Sequence, residues 1–189
     1  MEVALAGITK ETEAASCRLA LDDFDSVVRE HQRRIYRILF SLLRNAEEAD
    51  CLTQECFLRA FQKRASYRGE AGLGTWLTRI AINLVRDRAR NRRLAFWKRR
   101  VPDADATLNS VGDSRRSPEE ELLAQERVTV VWSIVEGLPD KRRTVFVLRY
   151  AEEMPLEEIA AVMNLELGTV KSHLSIATQE VRRHLGRRL

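Results

Sequence analysis

The sequence predicts an all-α protein: two small helical domains joined by a flexible linker, the C-terminal one containing a helix-turn-helix. Three observations carry this. Apolar residues recur at three- and four-residue spacing through most of the chain, the period of a helix face. Glycine and proline gather in a few breaks between those segments. One stretch, VPDADATLNSVGDSRRSPEE at 101–120, holds two prolines, a glycine and almost no large apolar side chain, so it has little to bury and reads as a tether. The 189 residues, 44% hydrophobic and 32% charged, suffice for one ordinary domain or two small ones with helical surfaces.

Taken in order, residues 1–22 form an N-terminal extension with no assigned role. Helical patterning then fills 23–44, 46–63 and 73–93, with Gly69, Gly72 and Gly74 making the glycine-rich break. Leu52, Phe57, Leu58 and Phe61 on the second helix, with Leu77, Ile80, Ala81 and Leu84 on the third, are expected to share a core. The first domain therefore spans 23–94 and the linker 95–119. Patterning resumes over 122–135, stops at Gly137 and Pro139, and returns over 141–151 inside a second domain, 120–189. Its end carries Leu156, Ile159, Ala160 and Met163, then Val170, Leu174, Ala177, Val181 and Leu185, two stripes at helical period. Asn164 suits the close of the first, and the Thr169 hydroxyl suits the orphan N–H groups opening the second. So short a break makes a tight helix–helix turn, the geometry of a helix-turn-helix. An ordinary packed helical hairpin fits the spacing equally well.

Charge narrows the choice. The net charge is only +4, yet 86–100 holds eight Lys or Arg against Asp87, and 171–188 holds five against Glu180. Acidic residues cluster elsewhere, at Glu47, Glu48, Asp50 and Glu55 and again at Glu119, Glu120, Glu121 and Glu126. Basic blocks set apart in this way favour a polyanion partner. Pulled straight, the 25-residue linker reaches at most about 80 Å, and relaxed it spans about 30 Å. Two major-groove faces two helical turns apart lie about 70 Å apart, so a larger assembly would have to hold both domains in register.

Other classes find no support. No apolar run approaches the roughly 18 residues of a membrane span, and no signal peptide opens the chain, so a cytoplasmic protein without membrane insertion is expected. Cys17, Cys51 and Cys56 form no CxxC pair, and His31, His173 and His184 are scattered, so no disulfide framework, metal or cofactor is signalled. No nucleophile–base pattern, phosphate-cradling loop or paired carboxylate in an apolar setting is present, and no catalytic residue or enzymatic role is assigned.

The densest signal is YRGEAGLGTWLTRIAINLVRDRARNRR, 67–93. A glycine-rich loop lets backbone approach a ligand, Trp76 follows at a helix start, and Asn83 comes two turns later among arginines. Aromatic rings stack on bases, and an amide reads a Watson–Crick edge once the base has left the duplex, so the combination suits single-stranded DNA. Trp76 is equally placed to be a core residue, with Asn83 simply exposed. Phosphate neutralisation is the simplest account of Arg86, Arg88, Arg90, Arg92 and Arg93 side by side.

NAEEADCLTQECFLRAF, YRGEAGLGTWLTRIAINLVRDRAR and MPLEEIAAVMNLELGTVKSHL, in that order and with a linker before the third, resemble the extracytoplasmic-function (ECF) sigma factors of bacterial RNA polymerase. The likeness covers about 23–93 and 122–186. It implies a dissociable subunit that binds core RNA polymerase, directs it to promoter DNA and is held in check by an anti-sigma factor, which would keep it at the membrane if that factor is anchored there. It further implies polymerase docking through Gln54, Glu55 and Phe57, flanked by Asp50 and Leu52. Tyr67, Arg68, Trp76, Arg79, Asn83 and Arg86 would meet the single-stranded minus-ten element, and Arg149, Lys171, Ser172, Ser175 and Ile176 the minus-thirty-five duplex. The chain departs from the family pattern at Cys51, where an aspartate is usual, and at His173, Ile176 and Thr178, where arginines are common. Fewer cations predict fewer phosphate contacts and a shallower salt dependence for the second domain. Two rival readings remain, a duplex-binding regulator with an N-terminal sensor, and a protein that only sequesters polymerase.

Overall fold

The computed structural model describes residues 23–69, 71–98 and 128–186, with side chains described up to 91 in the middle stretch. The N-terminal extension, the linker and the expected helical start at 122–127 lie outside the described residues. All regular structure among those described is helical. The chain divides into two compact units, 1–103 and 104–189.

The first unit is a three-helix arrangement of α1 (Phe24–Leu43), α2 (Ala46–Lys63) and α3 (Leu73–Lys98), each packed on the other two. Asp23 caps α1 by accepting from the Ser26 N–H at 3.4 Å, and Arg44 ends it in the left-handed region, φ 54°, its N–H returning to the Phe40 carbonyl. Asn45 then caps α2 at once, its Oδ1 accepting from the Glu48 N–H at 2.9 Å. With only Arg44 and Asn45 between them the two helices must turn back on each other, so their apolar faces meet. Ile35, Leu39, Ala49, Cys56, Ala60, Leu77 and Ala81 fill the interior at 1% exposure or less. Each large aliphatic buried there contributes about 1.5–3 kcal/mol of transfer free energy.

Two expected core residues are not there. Leu58 is 52% exposed and Phe61 44% exposed, while Thr53, Cys56 and Ala60 face inward instead. The physical reason is polar satisfaction and size: the Thr53 hydroxyl donates to the Ala49 carbonyl at 2.6 Å, so burying it costs little, and the small side chains let α2 approach closely. Ile80 is half-buried, and its neighbour Ile82, missed by the periodicity, is buried.

The described part of the second unit comprises helix α4, described over 128–136, followed by α5 (Asp140–Tyr150), α6 (Leu156–Met163) and α7 (Leu167–Leu185). Both α5 and α6 pack on α7. Ile134, Val135, Leu138, Val145, Val147, Leu148, Met154, Ile159, Val162, Val170, Ala177 and Val181 are the unit's buried apolar residues among those described. Met154 anchors the α5–α6 turn, its N–H donating to the Leu148 carbonyl at 3.0 Å. Asn164 closes α6 in the left-handed conformation, φ 52°, as the sequence predicts. Thr169 does not open α7: the helix starts earlier, after Glu166, and the Thr169 N–H donates to the Glu166 carbonyl at 2.9 Å. Backbone closure of the first turn leaves its hydroxyl no capping role.

Candidate nucleic-acid interface

On α3, Trp76, Arg79, Asn83, Arg86 and Arg90 fall at i, i+3, i+7, i+10 and i+14, which is one stripe of a helix. Arg79, Asn83, Arg86 and Arg90 are exposed and Trp76 is half-buried. Trp76 packs against the core cluster and keeps part of its ring outside. Its inner support is Tyr67, whose ring lies 5.0 Å away at 47°. Tyr67 is itself buried, and its hydroxyl donates to the Ala71 carbonyl at 2.5 Å, tying the two ends of the glycine loop together. The loop turns at Gly69, φ 72°, a conformation that L side chains rarely adopt. Arg68 is exposed on this loop. Gly74 allows the other close approach, since a Cβ there would sit 3.1 Å from Arg34 Nη1.

The arginine block is partly neutralised from within. Arg88 Nη2 meets Glu48 Oε1 at 3.1 Å, and Arg90 Nη2 meets Asp87 Oδ1 at 3.2 Å. Phosphate is thus not the sole compensation for these charges. Both pairs join partly exposed side chains and each contributes on the order of 0–1 kcal/mol, little enough for a phosphate to displace them.

A second surface lies on α2. Asp50, Cys51, Gln54 and Leu58 are exposed on one face with Glu55 half-buried at its edge. Gln54 Nε2 donates to Asp50 Oδ2 at 3.1 Å, and Arg59 Nε donates to Glu55 Oε1 at 2.7 Å while Arg59 Nη1 lies 3.8 Å from Asp87 on α3. Leu52 and Phe57, expected on this surface, are buried at 7% exposure and hold the helix in place from beneath. Leu58 is the residue that sequence reasoning missed here; its place at four residues from Gln54 was the available signal. A groove of about 550 Å³ runs alongside, lined by Cys51, Gln54, Leu58, Leu84, Arg88 and Asn91 among others. Cys56 faces the opposite way, its Sγ 3.6 Å from the Leu77 carbonyl, and burial pushes its thiol up to about 12.

On α7, Lys171, Ser172 and Ser175 are exposed, and Ile176 is half-buried beside them. Val170, Ala177 and Val181 face inward, so the polar set points away from the core. Arg149, exposed at the end of α5, donates from Nη1 to the Met154 carbonyl at 3.1 Å and thereby braces the turn into α6. His173 is half-buried, and the Thr178 hydroxyl donates back to the Leu174 carbonyl at 2.8 Å. Among the described residues no group of three His, Cys, Asp or Glu is placed to hold a metal, and no helix is long and apolar enough to cross a membrane.

Residues 27–95 match the family described as Sigma-70 region 2, and residues 129–180 match Sigma-70, region 4. Similar proteins include the RNA polymerase sigma-H factor of Pseudomonas aeruginosa, 32% identical over 84% of this chain and 83% of that one. The ECF RNA polymerase sigma factor SigW of Bacillus subtilis is 30% identical over 87% of this chain and 89% of its own length. Among solved structures, the sigma factor RpoE of Bartonella quintana, in complex with the anti-sigma factor NepR, aligns with a TM-score of 0.72 at 19% identity, covering 87% of this chain and 97% of that one. CnrH in complex with the cytosolic domain of CnrY aligns at 0.64 and 20% identity, covering 94% and 97%. At these identities the two structures share the fold.

Proposed function

Because the chain belongs to the ECF sigma factors of bacterial RNA polymerase, we propose that its two units divide promoter recognition, the first taking unpaired DNA and the second intact duplex. It is an alternative sigma factor, a regulator of transcription initiation that directs RNA polymerase to promoters. We assign it no catalytic step of its own; nucleotide chemistry belongs to the polymerase, and the chain works where the polymerase works, in the cytoplasm.

The observation that carries the division is the α3 stripe. One partly open aromatic ring, an amide two turns on and arginines on the same line match what an unstacked strand offers: a π-face, a base edge and successive phosphates. Trp76, backed by Tyr67, would stack on a base of the minus-ten element, Asn83 would read its edge, and Arg79, Arg86 and Arg68 would follow the backbone. Unstacking costs a few kcal/mol, which stacking and polymerase contacts offset. On α7, Lys171, Ser172, Ser175 and Ile176 would face the minus-thirty-five duplex, Ile176 offering an apolar edge to a thymine methyl. Domain bounds of 23–94 and 120–189 accommodate both units, with 95–119 between.

Asp50, Gln54, Glu55 and Leu58 would dock on core polymerase, with Leu52 and Phe57 holding them in register. RpoE and its partner NepR suggest that this chain too is held by an anti-sigma factor, which need only cover that face of α2 to block docking. If that factor is membrane-bound, the chain is held there until release.

Run-off transcription tests the reading: purified chain added to core polymerase and a promoter library is expected to give new start sites. Absence of initiation at every template overturns it. Gln54→Ala with Glu55→Ala is expected to weaken capture of core polymerase, and unchanged capture removes the docking assignment.

A further inference from the structure

Beside the α7 face lies an aromatic group that no assignment above uses. Tyr150 ends α5 with 53% of its surface exposed, and its ring is steadied by Phe146 at a centroid distance of 4.7 Å. Its hydroxyl lies 3.4 Å from Thr178 Oγ1 on α7. The Thr178 proton is already given to the Leu174 carbonyl at 2.8 Å, so in this pair Thr178 accepts and Tyr150 donates. Hydroxyl pairs close normally to about 2.7–2.8 Å; this one is long and weak. A better acceptor arriving from solvent would displace it.

The place of the pair on α7 identifies that acceptor. Thr178 lies seven residues beyond Lys171, about 10 Å along the axis at a rise of about 1.5 Å per residue. It is also three residues from Ser175, on the edge of the same exposed face. A major groove is about 12 Å wide. A helix that sets Lys171 and Ser172 over base edges carries Thr178, and Tyr150 with it, to the phosphate wall of the groove. Residues 167–181 hold Lys171, His173 and Glu180 as their only ionisable side chains, and exposed Arg182 and Arg183 follow in the last turn, so Tyr150 would add a neutral donor beside the cations at that end of the helix.

We propose that Tyr150 is a phosphate-binding residue of the duplex-facing surface, its hydroxyl exchanging the Thr178 oxygen for a phosphate oxygen of promoter DNA. This rests on the reading of α7 as the duplex-facing helix. The donor is neutral, so it adds a charge-assisted bond to the anion without adding to counterion release. Such a contact strengthens binding while leaving its salt dependence shallow.

The test uses the full chain assembled with core polymerase on a double-stranded promoter fragment selected by the wild-type holoenzyme, titrated at several KCl concentrations. Tyr150→Phe keeps the ring and removes only the donor; it is expected to weaken binding about tenfold, with the slope of log K against log salt and the melting temperature unchanged. Thr178→Arg should steepen that slope by about one, and in its background Tyr150→Phe should cost less than about twofold, because the new cation holds the same phosphate. Wild-type affinity for Tyr150→Phe alongside impaired Lys171→Ala would overturn this inference and leave the duplex reading standing. If neither change matters, both fall. A drop in melting temperature that accounts for the lost affinity would assign Tyr150 to packing and also overturn it.

Discussion

On α3, Trp76 leans on Tyr67, Tyr67 is tied to Ala71, and the loop between them is set by Gly69. On α7, the side chains of Lys171, Ser172 and Ser175 stand exposed and make no hydrogen bond or ion pair among the described residues. On the proposed reading, the difference answers to two kinds of partner. A base taken out of its stack has lost its neighbours, and a wall already rigid can replace them without a further ordering cost. A duplex brings its own rigid groove, so the protein need only present donors at the right spacing, and side chains without internal bracing suffice. On the same reading, two units held by polymerase would share the affinity between them.

The comparison breaks most visibly at the core of the first unit. Leu77 is fully buried, and Leu77→Ala is expected to cost about 2–5 kcal/mol there. Calorimetry of the full chain should show one transition moving and the other unmoved. Two transitions shifting together would mean that the units do not fold independently.

Next comes the rigid wall. Trp76→Ala should reduce strand opening by about 1–3 kcal/mol, the worth of a stacked base, and Asn83→Ala by about 1 kcal/mol, both with core polymerase binding retained. Asn83 is the cleaner probe because it is exposed, whereas Trp76 also packs inward. Equal loss of polymerase binding in Asn83→Ala would remove the base-capture role.

Alkaline titration separates the units by chemistry. Cys56 is raised from 9.0 to about 12 by burial, so the folded state favours the neutral thiol. Its contribution is fully present below about pH 9 and is lost as pH rises toward 12. The second unit contains no cysteine. Melting of the first unit should fall between pH 9 and 11 more steeply in wild type than in Cys56→Ala; parallel curves would contradict the burial account.

The smallest effect is expected at Gly74→Ala. The added Cβ crowds the far end of Arg34, which can shift, and meets His31 Cε1 at an ordinary contact distance of 3.8 Å, while alanine favours a helix by about 0.8–1 kcal/mol over glycine. The opposing terms should leave stability within about 0.5 kcal/mol of wild type. A loss of several kcal/mol would show that Arg34 is fixed there and belongs to the rigid wall.

Much of this architecture was legible locally. Helical period located α1, α2, α3 and the pair α6–α7, the glycine break placed the loop before Trp76, and Asn164 marked its own turn. Those signals act within a few residues, where backbone sterics and side-chain spacing decide the outcome. The side of α2 that turns inward was not legible, because Leu58 and Cys56 both lie on helical stripes and only contact with α1 and α3 selects between them. Nor could spacing show that Arg88 would answer Glu48 forty residues away, or that Tyr150 would reach Thr178 across twenty-eight. Local order is written in periodicity; partnership between distant side chains exists only once helices pack, since packing alone brings them within reach.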